Sequence, residues 1–279
     1  MKIKCWGSRG SIPVSGKQYE KYGGDTTCIE IRNRNDDVII IDAGTGIRRL
    51  GNHLVQEGRL DVHFIFTHAH WDHVVGFPFF KPVFNENAVF AMHRCPYHSK
   101  FVETVLSKVM KAPFFPVKYS ELKAHLSYED ACPLEFKIGA MRITPIPISH
   151  PNGGSGYKFE EDGKTFVFLT DNELGHLHPN GLTAESYIEF SKGADLLIHD
   201  AEYTPEEYDT TRTWGHSTYT DALDMALKSG AKKMGLFHLN QDRTDDWMDR
   251  IVADCNDRIE KIGSPMTCFA VGCDTTITL

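Results

Sequence analysis

The sequence predicts an α/β protein in which two β-sheets pack face to face with helices on the outside. Three observations predict it. Short apolar runs of strand character recur along the chain, strand runs come first in each half with helices collected at the ends, and polar residues cluster where several of these runs stop. The early strands are "MKIKCW" (1–6), "TTCIEIR" (26–32), "DVIIID" (37–42), "VHFIF" (62–66) and "NAVFAMH" (87–93), all rich in β-branched or aromatic residues. In the second half come "LEFKIG" (134–139) and "MRITPIPIS" (141–149), the latter alternating apolar and polar. "GYKFEE" (156–161) and "KTFVFLTD" (164–171) are joined through "EEDGK", a hairpin signal. "ADLLIHD" (194–200), "KKMGLFH" (232–238) and "MTCFAV" (266–271) complete the set. Between the last three lie two helices. Residues 218–229 offer Thr218 and Asp221 as a capping box and Gly230 as the stop. Residues 245–262 repeat Met248, Ile251, Val252, Cys255, Ile259 and Ile262 at helical spacing, with Asp245 and Asp246 in the positive first turn.

Composition narrows the class. The chain has 279 residues, 41% hydrophobic and 24% charged, with no low-complexity linker or internal repeat, so one domain over 1–279 is expected. No apolar run approaches the roughly 18 to 20 residues of a membrane span, so no membrane partner is expected. The start, "MKIKCWGSRG", lacks the apolar stretch of a secretory signal. Seven cysteines (5, 28, 95, 132, 255, 268, 273) show no CxxC spacing, which argues against a disulfide framework or a cysteine zinc site and favours a reducing cytoplasm. The net charge of −8, with lysine and arginine scattered, suits a small anionic ligand better than a long nucleic acid.

The apolar run 62–66 is followed at once by "THAHWDH" (67–73), three histidines and an aspartate in seven positions. Histidine and aspartate are poor strand and core residues, whereas zinc and manganese take imidazole and carboxylate ligands. His68 and His70, two apart, can aim at one ion from a strand end, while Asp72 and His73 point elsewhere and can serve a second. One cluster cannot fill both sites. Later strand ends offer His150 in "ISHPNG", Asp171 in "FLTDNE" and His238 in "GLFHL".

"HAHWDH" resembles the HxHxDH signature of the metallo-β-lactamase superfamily, and the resemblance extends over nearly the whole chain. It implies an αββα sandwich of two mixed sheets with the metals at one edge. It puts His68, His70 and His150 on the first metal, Asp72, His73 and His238 on the second, and Asp171 between them. Asp42 in "IIDAGTG" resembles the early aspartate that supports the metal loop without binding metal. His70 stands where flavin-associated, oxygen-reducing members carry glutamate, so the hydrolytic branch is implied. "GHST" (215–218) and "HDAEY" (199–203) resemble the paired histidine and acidic motifs of the phosphodiesterase branch, seen in tRNA 3′-end processing endonucleases and a phosphonate-pathway cyclic phosphodiesterase. "WGSRGSIP" and "GGDTTC" are similar to the Gly-rich start of that branch. The chain departs from it at "TDNE", where many members have GDT, and has no counterpart of the Gly/Pro-rich arm that grips tRNA.

The chemistry of phosphodiester hydrolysis needs these parts. Two metals roughly 3.5–4 Å apart create a hydroxide and clamp the phosphoryl oxygens. His216, oriented and kept cationic by Asp200, can then protonate the leaving oxygen. The expected catalytic residues are therefore Asp72, His216 and Asp200. The expected cofactors are two divalent ions, zinc or manganese, with iron(II) also suited to the donors. The expected activity is hydrolysis of a small phosphodiester, a 3′,5′-cyclic nucleotide or a similar cyclic ester. An RNA or DNA nuclease, a lactone or thioester hydrolase, and a non-catalytic sensor are the rivals. Plainer roles compete for single residues. His216 can simply shape the helix start, Asp200 a strand-end turn, and Asp42 an Asx-turn. His199 is expected to be structural, and His176 and His178 to sit in a solvent-facing loop. The glycines of "GSRGS" suit a tight turn, or a phosphate cradle through backbone N–H groups. Phe114 and Phe115 in "KAPFFPV" read as a core plug, with base stacking or a homodimer contact as the sharper alternative.

Overall fold

A computed structural model describes residues 1–93, 102–128 and 134–279. Its first sheet contains β1 (Lys2–Gly7), β2 (Cys28–Arg32), β3 (Val38–Ile41), β4 (Asp61–Ile65), β5 (Val89–His93), β6 (His125–Tyr128) and the C-terminal β14 (Thr276–Thr278). The second contains β7 (Phe136–Ile138), β8 (Met141–Pro147), β9 (Ser155–Glu161), β10 (Lys164–Leu169), β11 (Leu196–Asp200), β12 (Lys233–Phe237) and β13 (Thr267–Ala270). The strand orders are β14-β1-β2-β3-β4-β5-β6 and β13-β12-β11-β10-β9-β8-β7. Both sheets are mixed in the same sense. The pairs from β14 to β3 are antiparallel and those from β3 to β6 parallel. Likewise β7 to β10 are antiparallel and β10 to β13 parallel.

The period-two alternation of the strands decides which face meets which layer. On β3, Ile39 and Ile41 face the second sheet, whereas Val38 and Ile40 face the helices. On β11, Leu196 and Ile198 join the inter-sheet core with Phe166, Phe168 and Phe237, and Leu197 turns outward. Helix α1 (Ile47–Glu57) packs Ile47, Leu50 and Leu54 on the outer face of the first sheet. The short α2 (Trp71–Val74) carries the end of the histidine cluster, and α3 (Val102–Val109) buries Leu106 on that same side. On the second sheet lie α4 (Ala184–Phe190), α6 (Tyr219–Ser229) and α7 (Asp245–Lys261), with α5 (Pro205–Thr211) near the rim. This is the expected αββα arrangement. No helix among the described residues is long and apolar enough to cross a membrane. Cys5, Cys28, Cys255, Cys268 and Cys273 are free, and Cys95 and Cys132 lie outside the described residues.

Local signals held where they were strongest. The β9–β10 hairpin pairs Glu161 with Lys164 across Asp162 (φ 53°) and Gly163 (φ 73°), the two left-handed residues that a tight hairpin turn needs. Thr218 caps α6 by accepting from the Asp221 N–H at 3.0 Å, and Gly230 ends it at φ 69°. The expected reciprocal half of that box is replaced, because the Asp221 carboxylate accepts from the Thr218 hydroxyl at 2.8 Å. Phe114 corrects the core-plug expectation: it is 74% exposed, while Phe115 is half-buried against Phe79.

Candidate metal centre

The cluster forms where parallel strands of both sheets end, at the carboxyl edge where open α/β sheets place ligands. Asp42 follows β3 directly, His238 follows β12, and Asp171 lies just past β10. All three are non-glycine residues in the left-handed region, with φ of 61°, 57° and 52°. Such backbone outliers persist only where the surroundings hold them, and they concentrate at functional sites. Here each turns its side chain back toward a common centre.

Two groups of ligand-capable atoms converge there, each within 4.8 Å. One comprises His68, His70, His150 and Asp171, and the other Asp72, His73, Asp171 and His238. Asp171 is shared. Its Oδ1 lies 3.2 Å from His73 Nε2, and its Oδ2 lies 3.3 Å from His238 Nε2 and 3.5 Å from His68 Nε2. Asp72 Oδ2 approaches His238 Nε2 at 3.1 Å and His73 Nε2 at 3.3 Å, and accepts from the Ser11 N–H at 2.9 Å. His70 Nδ1 and His150 Nε2 face each other at 3.1 Å.

These residues fit divalent ions. The Nε2 atoms of His68 and His73 are buried with no hydrogen-bond partner, a costly state for a polar atom unless it has a ligand to hold. Burial drives the pKa of His68 well below its ordinary value and that of His150 to about 3, which leaves neutral rings with free lone pairs. Burial also opposes ionisation of Asp72 and Asp171, yet the surrounding imidazoles hold both well below the usual carboxylate range. Burial also lowers His73 and His238, but Asp171 and its carboxylate neighbours outweigh it and hold both well above their ordinary value, so an arriving ion displaces a proton there. Imidazole nitrogens beside carboxylates are the donor set of zinc and manganese.

An outer layer orients the rings. Asp42 accepts from the Thr67 N–H at 2.7 Å and the Thr67 hydroxyl at 2.6 Å, and meets His73 Nδ1 at 2.8 Å. It therefore braces the 67–73 loop from behind, as expected, and does more than shape a turn. His150 Nδ1 donates to the Gly215 carbonyl at 2.9 Å, and His238 Nδ1 to Glu202 Oε2 at 2.8 Å. A Cβ at Gly10 would lie 2.2 Å from His238 Nδ1, so that glycine lets the first loop close over the ring. The phosphate-cradle alternative for "GSRGS" fails. The N–H groups of Ser8 and Arg9 bond the Asp25 carbonyl, that of Gly10 the Leu239 carbonyl, and that of Ser11 Asp72.

His216 donates from Nδ1 to Asp200 Oδ2 at 2.6 Å. Its ring stacks on His238 at 4.5 Å between centroids, and Nδ1 is 4.0 Å from Asp171 Oδ2. Asp200, His216 and His238 also converge, but the short bond between the first two engages Nδ1 of His216 with its carboxylate partner. His199 turns to Asn172 at 3.1 Å, in keeping with a structural role. The solvent-facing expectation for His178 is corrected: it is buried and bonds Glu173 at 2.7 Å, whereas His176 is half-buried.

Two residues escaped the sequence reading. Glu202 lies between His238 (2.8 Å) and His216 (3.4 Å). A signal existed, since Glu202 stands two positions after Asp200 and so shares its side of an extended chain. Glu173 accepts from the Tyr208 hydroxyl (2.6 Å) and the N–H groups of Thr213 (2.7 Å) and Gly215 (2.8 Å), pinning the loop that delivers His216. No pattern in the sequence marks it.

The family model described as a beta-lactamase superfamily domain matches residues 38–239. Ribonuclease Z of Haloarcula marismortui is 25% identical, with 86% of each chain covered. Among solved structures, the metallo-beta-lactamase fold protein YhfI from Bacillus subtilis superposes with a TM-score of 0.72 at 17% identity, covering 99% of this chain and 98% of the other. The short form of human tRNase Z follows at 0.65 and 17%, covering 100% and 99%. The chain therefore belongs to the metallo-β-lactamase superfamily, within its phosphodiesterase branch of metal-dependent hydrolases.

Proposed function

We propose that the chain is a dinuclear metal phosphodiesterase that opens a small cyclic phosphodiester of the 3′,5′-cyclic nucleotide class. The observation that carries this reading is the buried His216–Asp200 pair lying against both ligand groups. Ester or lactone cleavage in this fold does not need that pair, whereas a phosphodiester must expel an alkoxide. Zinc(II) or manganese(II) bound by the two groups, with iron(II) also suited, would supply a water-derived nucleophile and neutralise phosphoryl oxygens. His68, His70 and His150 would hold one ion, Asp72, His73 and His238 the other, and Asp171 both.

The chain's own residues do the proton work. Asp200 takes Nδ1 of His216 and so leaves Nε2 as the nitrogen to serve a substrate. Burial pulls the pKa of His216 down, but Glu202 and Asp200 outweigh it and push it up to about 9, so the ring carries a proton at neutral pH. That proton goes from Nε2 to the leaving sugar oxygen. Asp72, held anionic, is the carboxylate available to accept one. A small substrate is supported by the net charge of −8. A cytosolic setting is supported by the five free thiols among the described residues.

The relatives named ribonuclease Z favour a second reading, cleavage of RNA. One tube decides between them: metal-loaded protein is given a cyclic nucleotide and a tRNA precursor together. Turnover of the cyclic nucleotide with the RNA intact is expected. Efficient RNA cleavage with the cyclic nucleotide untouched would overturn the proposal.

A further inference from the structure

Beside His216 lies a cavity of about 490 Å³, within the range of small-molecule sites. Tyr203, Trp214, Asn240, Gln241 and Asp242 share its wall with His216. Three features of that wall point to one class of ligand.

Trp214 is 61% exposed, and no ring or cation stacks on it among the described residues. The other aromatic ring of the wall is spoken for, since Tyr203 meets His216 edge-on at 5.9 Å. The segment that presents Trp214 is also strained. Thr213 has φ 80°, a left-handed conformation that a β-branched residue rarely adopts, and its N–H is tied to Glu173 at 2.7 Å. A turn held this way displays an indole that apolar burial alone would have hidden.

The polar part of the wall is selective. Gln241 has its Oε1 buried without a hydrogen-bond partner, an acceptor left over for an arriving donor. No lysine or arginine lines the cavity, whereas Glu207 and Asp242 do. Arg243 pairs with Glu207 at 2.5 Å, so the remaining charge is negative. Beyond His216 a run of phosphates would find no further cation here. A neutral, flat, amino-bearing group would find a ring face and an acceptor.

We propose that this cavity is a nucleoside subsite, in which Trp214 stacks on the base and Gln241 accepts from an exocyclic amino group. It rests on the phosphodiesterase reading above and adds a preference to it. Adenine, guanine and cytosine carry that amino group, and uracil does not. The sugar oxygen that leaves would lie at His216, with the base beyond it.

The test uses the full-length, zinc-loaded protein, and its first arm needs no turnover. Calorimetry with adenosine and uridine should show adenosine bound more tightly. Base stacking lost on alanine substitution is worth roughly 5- to 150-fold, so Trp214→Ala should weaken adenosine binding by that factor and Trp214→Phe should restore most of it. Gln241→Ala should narrow the gap between the two nucleosides. In parallel, Trp214→Ala should lower kcat/KM on cyclic AMP more than on methyl p-nitrophenyl phosphate, which has no nucleoside. Adenosine binding indifferent to Trp214, or equal losses on both esters, overturns the subsite even if cyclic nucleotides are hydrolysed. Adenosine binding that depends on Trp214 in a protein that cleaves no cyclic nucleotide supports the subsite and overturns the activity instead.

Discussion

Replacing His216 with alanine separates proton transfer from metal binding. In the folded protein the ring donates to Asp200 at 2.6 Å and lies 3.4 Å from Glu202. Asp200 is buried, but its Oδ1 keeps two donors in the variant, the N–H groups of Glu202 (3.1 Å) and Ser217 (3.2 Å). Breaking a buried ion pair outright costs about 3–5 kcal/mol. With those two bonds surviving, a stability loss of about 2–3 kcal/mol is expected, which thermal denaturation reads directly. Activity should fall further. General acid help is worth roughly 10²- to 10⁴-fold, so kcat on a cyclic nucleotide should drop by that factor. On an aryl phosphodiester the leaving p-nitrophenolate departs without a proton, and the loss should stay below about tenfold. Measuring both substrates on one preparation cancels partial misfolding, and elemental analysis reports the metal. Equal losses on both substrates with metal retained would refute the leaving-group role. Loss of metal would make His216 a ligand and refute the assignment altogether.

Asp171→Ala removes the carboxylate shared by both groups, and of the two ions proposed about one should be lost because their repulsion is no longer offset; two tightly held ions by elemental analysis would contradict the bridging position. Gly10→Ala drives a Cβ to within 2.2 Å of His238 Nδ1, a ring already held by Glu202. A stability loss of about 1–3 kcal/mol with weakened metal retention in a chelator competition is expected, and wild-type values in both would remove the close-approach argument. A pH effect should come from His93, which lies 3.0 Å from His63 and whose pKa burial, then His63, depress from 6.5 to about 4. The unfolded chain protonates first as pH falls, so this contribution is intact above pH 6.5 and is lost between pH 6.5 and 4, by about 3 kcal/mol at most. Urea midpoints of His93→Leu should fall less steeply across that window than those of the wild type, and parallel slopes would exclude the effect.

What the sequence determined by itself was whatever is written in side-chain periodicity and short spacing. Alternation in "VIII" sorts Val38 and Ile40 from Ile39 and Ile41 without reference to any other strand, because successive Cβ atoms point to opposite faces. Thr218, Gly230 and the Asp162–Gly163 turn were equally legible, since caps and tight turns depend on one or two residues. "HAHWDH" announced a candidate metal site because four ligand-capable residues in so short a run have little other use. β6 and β14 were not spelled out, and α1 was missed although Ile47, Leu50 and Leu54 at helical spacing and Gly58 as the stop do mark it. The edge strands β6 and β14 are short, held in place by neighbours more than by their own propensity.

Only the tertiary structure decided which distant residues would share a few ångströms. Ser11 meets Asp72, Glu202 meets His238, and Glu173 meets Gly215, across separations of 61, 36 and 42 residues. Those meetings follow from the order of strands in two sheets and from loops bent through left-handed turns, neither of which leaves a periodic mark on the chain. The exposure of Phe114 and Trp214 and the burial of His178 have the same origin. Whether a side chain is covered depends on what the rest of the fold brings over it, and that is a property of the assembled layers.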